Sequence, residues 1–229
     1  MIWNAAAQEP FKIIGENDLI AVDAKITNIP YKYKKLVNAF GMLSMGCTGT
    51  HIGRGYVLTA GHCFWAGEEP TQDLACEDTT IDWGVRTGIL PYLKSTCQKI
   101  IITQKSMKSD FAIIKVFPVP ETFVQIELLR KAAPRDVVTI FSHPEWLSLR
   151  WSKACIVEFK LDPTLPPDFM QHECDTNPVS SGASIIDTQT LKIVGVHGGG
   201  FLHSPGFGIN YATYITNIEI INTLKKLGF

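Results

Sequence analysis

Charge is scarce in this sequence. Only 19% of its 229 residues are Asp, Glu, Lys or Arg, and the signs cancel, 21 Lys and Arg against 22 Asp and Glu, for a net charge of -1. That balance argues against a nucleic-acid grip, which needs an excess of cations to displace the counterions of the phosphate backbone. A hydrophobic share of 45% equally argues against a disordered tail. No run approaches 18 uninterrupted apolar residues, so no membrane span is expected. The first residues lack the charged start and apolar core of a signal peptide, and the expectation is that any export signal has been removed. No two cysteines stand as Cys-x-x-Cys, which weakens zinc-ribbon and thioredoxin-like chemistry, since both need two thiolates on one tight turn.

What the chain does have is six cysteines, an even number, which favours a secreted protein with disulfides. It also has 13 prolines and 18 glycines, punctuating short runs of Val, Ile, Thr and aromatics. Helical periodicity is absent until the last dozen residues, so the chain reads as all-β with one terminal helix. Strands are expected at Tyr56 to Thr59, Phe111 to Val116 and Val137 to Phe141, with a hairpin joining Ile185-Ile186 to Ile193-Val196. Thr216 and Glu219 have capping-box spacing ahead of Ile220, Ile221, Leu224 and Leu227 on one helical face. The prolines between Lys160 and Asp168 mark a loop. Those at Pro118 and Pro120 forbid continuation of a strand and divide the chain near its middle. The expected units are residues 13–120 and 121–229, behind a leader of residues 1–12.

Three segments can carry chemistry: Leu58-Thr59-Ala60-Gly61-His62-Cys63, Lys108-Ser109-Asp110-Phe111-Ala112-Ile113-Ile114-Lys115, and Asp175-Thr176-Asn177-Pro178-Val179-Ser180-Ser181-Gly182-Ala183-Ser184. Each supplies one member of a His, Asp, Ser set. Acyl transfer needs a hydroxyl nucleophile, an imidazole that takes and returns its proton, and a carboxylate that fixes the imidazole tautomer. Singly, each has a structural reading as strand-end, turn or loop residue. Their joint order is what points to function.

These segments resemble the trypsin-like serine peptidases of chymotrypsin fold, and within them the V8-like, glutamyl-endopeptidase branch. The likeness runs from about Ile13 to the terminal helix. Cys47-Thr48-Gly49-Thr50-His51-Ile52-Gly53, followed by Val57 to Cys63, is similar to the family's stretch around its catalytic histidine; Ser109-Asp110-Phe111-Ala112-Ile113-Ile114-Lys115 is similar to its aspartate segment; Cys174 to Gly182 is similar to the approach to its serine. The resemblance implies two packed six-stranded antiparallel β-barrels with a C-terminal α-helix. It implies His62 as general base and acid, Asp110 as its orienting carboxylate and Ser181 as nucleophile, with Ser180 the alternative. It implies an oxyanion hole from the backbone N–H groups of Val179 and Ser181. It implies disulfides Cys47–Cys63, Cys155–Cys174 and Cys76–Cys97, protein or peptide substrates, a monomer, and neither metal nor other cofactor.

Thr176, His197, Gly198 and Gly199 resemble the branch's specificity pocket, where a histidine and a hydroxyl meet a glutamate side chain. No acidic residue is assigned to the pocket, which argues against cleavage after Lys or Arg. His51, His143, His172 and His203 match no motif and are expected on the surface or in loops. The mature branch enzymes begin near the segment that Ile13-Ile14-Gly15-Glu16-Asn17-Asp18 resembles, so the chain is expected to be a precursor cut near Phe11, Lys12 or Ile13. One departure stands out. Val179 occupies a position where the family has glycine, and a β-branched residue resists the φ that turns this N–H inward. Losing one oxyanion donor costs about 2.7 to 4 kcal/mol of transition-state stabilisation. The departure supports an alternative, a catalytically impaired binding module on a peptidase fold. A zinc protein using His62 and cysteines is a third reading, which predicts free thiols.

Overall fold

The computed structural model describes residues 13–64, 67–158, 162–163, 165–204 and 207–229, with the side chains of 201–204 and 207 left aside. The expectations for residues 1–12 and for the His203 side chain lie outside these. In chain order the elements are β1 Ile20–Ala21, α1 Tyr31–Lys34, β2 Phe40–Leu43, β3 Cys47–Gly53, β4 Tyr56–Thr59, β5 Thr71–Leu74, β6 Thr80–Trp83, β7 Leu93–Lys105 and β8 Asp110–Phe117. Then follow β9 Val137–Ser142, β10 Arg150–Trp151, β11 Cys155–Ile156, β12 Phe169–His172, β13 Ser184–Asp187, β14 Ile193–Ser204, β15 Phe207–Tyr214 and α2 Ile218–Lys226.

The first sheet runs β7-β6-β2-β3-β4-β8 and closes by pairing β7 with β8, giving a six-stranded antiparallel barrel with β5 appended to β7. The second sheet runs β1-β10-β9-β13-β14-β15-β12, with β11 also on β9. Its ends approach through single contacts rather than a ladder. Val157 bridges His172, and the Glu158 and Glu173 N–H groups donate to Gln171 O and Ile156 O. Cys155–Cys174 ties the same two ends covalently, while Cys47–Cys63 and Cys76–Cys97 lie in the first sheet's half. Three disulfides fit an oxidising compartment. Among the described residues no helix is long and apolar enough to cross a membrane.

Alternation along the strands builds three cores from the same set of strands. Val57, Ile114 and Val116 point into the first barrel with Leu43, Ile81 and Trp83, while Leu58, Phe111 and Ile113 point into the seam between the sheets. On the other side Ile140, Ile185 and Val194 fill the second sheet's interior, and their neighbours Phe141, Ile186 and Ile193 join the seam. Each strand is thus buried on both faces, which is why these segments read as continuous apolar runs rather than alternating ones. On β7, Ile100 belongs to the barrel and Ile102 to the seam although they are two apart; a bulge between them flips the face. The helix α2 packs Ile220 and Leu224 into the seam. Its cap differs from expectation by one residue. Asn217, not Thr216, accepts the Glu219 N–H at 3.0 Å.

Three histidines expected outside are inside. His51 is buried on β3, with Nδ1 2.7 Å from Thr122 O and Nε2 accepting from Gly55 N–H. His172 is buried on β12. His143 follows β9; its N–H donates to Thr48 Oγ1 across the seam at 2.9 Å, and its Nδ1 lies 3.1 Å from Leu147 O. Burial lowers the pKa of His143 from 6.5 to about 4 and that of His172 to about 3. The unfolded chain therefore binds protons from about pH 6.5 downward that the folded chain refuses, and stability is lost as pH falls through that range. His143→Asn keeps a donor for Leu147 O and removes one titration. Its stability, read from urea midpoints, is expected to fall less steeply than the wild type's between pH 6.5 and 4; parallel slopes would contradict this.

Candidate active site

His62 sits in the tight turn after β4. The turn lies directly on β7, where a side chain at Gly61 would come within 1.9 Å of Gln104 O, so only glycine fits. Cys63 anchors the next position to Cys47. Asp110 opens β8 and is fully buried. Its Oδ2 lies 2.7 Å from His62 Nδ1 and its Oδ1 accepts the His62 backbone N–H at 2.9 Å. A carboxylate only accepts, so Nδ1 carries the proton and Nε2 is left as the basic nitrogen. From the second sheet, Thr213 Oγ1 accepts the Asp110 N–H at 2.7 Å and lies 3.2 Å from its carbonyl. Burial alone would raise the Asp110 pKa, but the hydrogen bond and charge of His62, with the charge of Lys105, bring it below the usual carboxylate value.

The Ser181 turn is pressed against the first sheet from the opposite side. Thr48 N–H donates to Ser181 O at 2.8 Å, and Thr48 Oγ1 to Val179 O at 3.1 Å. A Cβ on Gly182 would stand 2.1 Å from Thr59 Oγ1 and 2.3 Å from Thr48 O, and its φ is +86°. This close approach brings the serine turn onto the strand end that leads into His62. Ser181 is partly exposed. Ser180 is wholly buried, its hydroxyl 3.1 Å from Ser142 Oγ and accepting the Asn177 N–H at 3.3 Å. Val179 adopts the left-handed φ of +75° that its glycine-like position demands. Among the described residues, neither its N–H nor that of Ser181 has a protein acceptor.

Beside this turn, β14 carries His197, buried and opposite Ala212 on β15. Its Nδ1 lies 3.2 Å from His172 Nε2. Thr176 Oγ1 donates to Asn210 Oδ1 at 3.1 Å, and Asn210 Nδ2 holds Cys174 O at 2.8 Å. Gly198 and Gly199 pass under Tyr211; a Cβ on Gly198 would meet that ring at 2.9 Å and Asp110 Oδ2 at 3.3 Å, and one on Gly199 the phenol oxygen at 2.8 Å. Thr176 and residues 197–199 thus each meet a neighbour on β15. Asp175, next to Thr176, is a buried acid that the sequence reading left out of the pocket. Its carboxylate accepts the N–H groups of Ile14 at 2.8 Å and Asp18 at 2.6 Å, and burial raises its pKa.

His172, Asn210 and Thr213 carry no local signal because only the β12–β15 and β14–β15 registers bring them here; Asp175 stands within the serine segment, but its partners Ile14 and Asp18 are 161 and 157 residues away in sequence. Lys105, 3.0 Å from Asp110 Oδ2, had a signal: Ser106-Met107-Lys108-Ser109 is a hairpin turn that sets Lys105 opposite Asp110. Among the described residues one cluster could suggest a metal, the sulfurs of Cys47 and Cys63 with a His62 nitrogen. Both sulfurs are spent in a disulfide and offer no thiolate.

A left-handed φ costs an ordinary residue about 1 to 2 kcal/mol. Val179→Gly is accordingly expected to stabilise the protein by about 1 kcal/mol in urea unfolding. A loss of stability would show that Val179 contributes more by packing than it costs in strain.

No curated protein matches the chain. Among solved structures, a Glu endopeptidase in complex with MPD is similar at 18% identity and a TM-score of 0.67, covering 94% of this chain and 98% of that one. The inactive form of the Rv3671c protease is similar at 15% identity and a TM-score of 0.62, covering 92% and 98%. A serine-to-alanine variant of Rv3671c from M. tuberculosis H37Rv gives 14%, 0.62, 91% and 95%. These likenesses establish the chymotrypsin-like fold. The family model described as trypsin-like peptidase domain matches residues 47–196, from Cys47 to the residue before His197. That span is well over half of the chain, which therefore belongs to the trypsin-like peptidase family.

Proposed function

We propose that the protein is a secreted serine endopeptidase working through Ser181, His62 and Asp110. The observation that carries this is the fully buried Asp110 carboxylate gripping both His62 Nδ1 and the His62 backbone N–H, with the Ser181 turn packed on the strands that lead to that histidine. His62 Nε2 takes the Ser181 hydroxyl proton as Oγ attacks the scissile carbonyl, then gives it to the leaving amine. Asp110 stabilises the imidazolium in between without taking its proton. The N–H groups of Val179 and Ser181 receive the oxyanion, and water releases the acyl group by the same steps in reverse.

The pocket wall supports a preference for glutamate or another acidic residue before the cleaved bond. His197 and Thr176 suit a carboxylate, and the fold likeness to a Glu endopeptidase points the same way. The buried, neutral His172 beside His197 Nδ1 orients that ring. The docking of residues 14–18 on Asp175 supports the precursor reading. A cut after Ile13 would turn the Ile14 N–H into an ammonium facing a buried carboxylate one residue from Thr176. Lys153, 2.5 Å from Asp18, holds the same segment.

A panel of internally quenched peptides with Glu, Gln or Lys before a single scissile bond tests both parts, on the full chain and on a form beginning at Ile14. Ser181→Ala is expected to lower kcat/KM by roughly 10³-fold or more on every cleaved peptide. His197→Ala is expected to lose most on the Glu peptide and little on the Gln peptide. Equal losses on both would remove the acidic preference, and cleavage surviving in Ser181→Ala would remove the nucleophile.

A further inference from the structure

Asp110 Oδ2 serves two partners at once. It takes His62 Nδ1 at 2.7 Å and the Lys105 ammonium at 3.0 Å. An aspartate that only oriented and stabilised an imidazolium would need no second cation, and a lysine on the same oxygen works against that task, because it neutralises the charge the imidazolium leans on.

Lys105 is held there by the hairpin rather than by chance. It is the residue of β7 paired opposite Asp110, and the intervening turn is closed by Ser106 N–H to Ser109 O at 2.8 Å and by Ser109 Oγ to Gln104 Oε1 at 2.8 Å. Partial burial disfavours its ammonium, but the charge of Asp110 and the hydrogen bond to it raise its pKa on balance, so it stays protonated through the working range. Among the described residues, the titratable groups that face the pair are few. Tyr211 comes from β15, kept neutral by burial, and Glu68 shares with Lys105 the wall of a cavity of about 340 Å³ lined also by Met107, Leu165 and Phe169.

We propose that Lys105 is a positioning residue that acts through Asp110: it pins the carboxylate for His62 and, by its fixed charge, disfavours premature protonation of the imidazole, extending activity toward acidic pH. The inference rests on the serine-peptidase reading of Asp110 and His62. Lys105 neither gives nor takes a proton in the cycle. It acts as a standing charge, opposing the imidazolium in every state and keeping Asp110 ionised at pH values where a buried carboxylate would otherwise take up a proton. The arrangement gives up some stabilisation of the transition state near neutral pH and gains free imidazole below it.

The test compares wild type with Lys105→Met, which keeps the stem and drops the charge, and Lys105→Arg, which keeps the charge. The readouts are the pH profile of kcat/KM on the best peptide of the panel and the pH titration of the His62 ring followed by NMR in a Ser181→Ala background. Lys105→Met is expected to move the acid limb toward higher pH, with roughly a tenfold loss of kcat/KM at acidic pH relative to its own plateau, and to move the ring titration in the same direction. Lys105→Arg is expected to restore the wild-type position. Superposable profiles for all three would overturn the proposal, as would a change confined to KM, which would mark Lys105 as a contact for substrate lying in the adjoining cavity. The NMR titration needs no turnover, so it still decides the Lys105 question if no peptide is cleaved, and thermal melts confirm that each variant is folded.

Discussion

A single buried carboxylate organises this molecule. Asp110 has no access to water, and an ionised group in that position is costly unless its oxygens are satisfied. The satisfaction comes from three directions: His62 from the turn after β4, Lys105 from the facing strand, and, at the backbone, Thr213 from the second sheet. Removing any of these leaves a charge or a backbone donor stranded in the interior. The site and the seam between the sheets are therefore one construction.

The seam in turn depends on close approach. Leu58, Phe111 and Ile113 meet Phe141, Ile186 and Ile193 there, and Phe40 stacks on Phe141 at 4.9 Å between ring centroids. Gly61 and Gly182 let backbone lie where a side chain would collide, and Thr48 spends its N–H and its hydroxyl on Ser181 and Val179 from the other sheet. Val179 carries the cost of this placement. Its left-handed φ is what the neighbouring contacts impose, and a β-branched side chain has been accommodated rather than excluded. Gly198 and Gly199 show the same close approach, since the Tyr211 ring fills what larger residues would need.

Much of this was legible before the fold was known, wherever the signal was local. The runs at Tyr56, Phe111 and Val137, the hairpin across Asp187 to Thr190 and the terminal helix have apolar periodicity and turn residues that need no partner to be read. The segments holding His62, Asp110 and Ser181 stand out by their joint order and their resemblance to the trypsin-like peptidases. What escaped was set by pairing between distant strands. His51, His143 and His172 look like polar loop residues in one dimension and are buried: His51 is held by Thr122 O and Gly55 N–H, the His143 Nδ1 by Leu147 O four residues on, and the His172 Nε2 by His197 on β14. Asn217 displaced Thr216 as the helix cap by one residue, within the ordinary slack of helix starts. The second sheet's closure through Val157 and His172 has no mark in hydropathy or turn residues, and only the cysteines Cys155 and Cys174, which tie the same two ends, hint at it in the sequence.

The central claim is that the three separated segments act as one nucleophilic unit. Labelling by a fluorophosphonate, located by peptide mass mapping, tests it most directly on the full chain and on the form beginning at Ile14. The account expects one adduct, on the peptide containing Ser181, formed roughly 10³-fold or more slowly in His62→Ala. An adduct on another residue, a rate indifferent to His62, or no adduct on either form would contradict it.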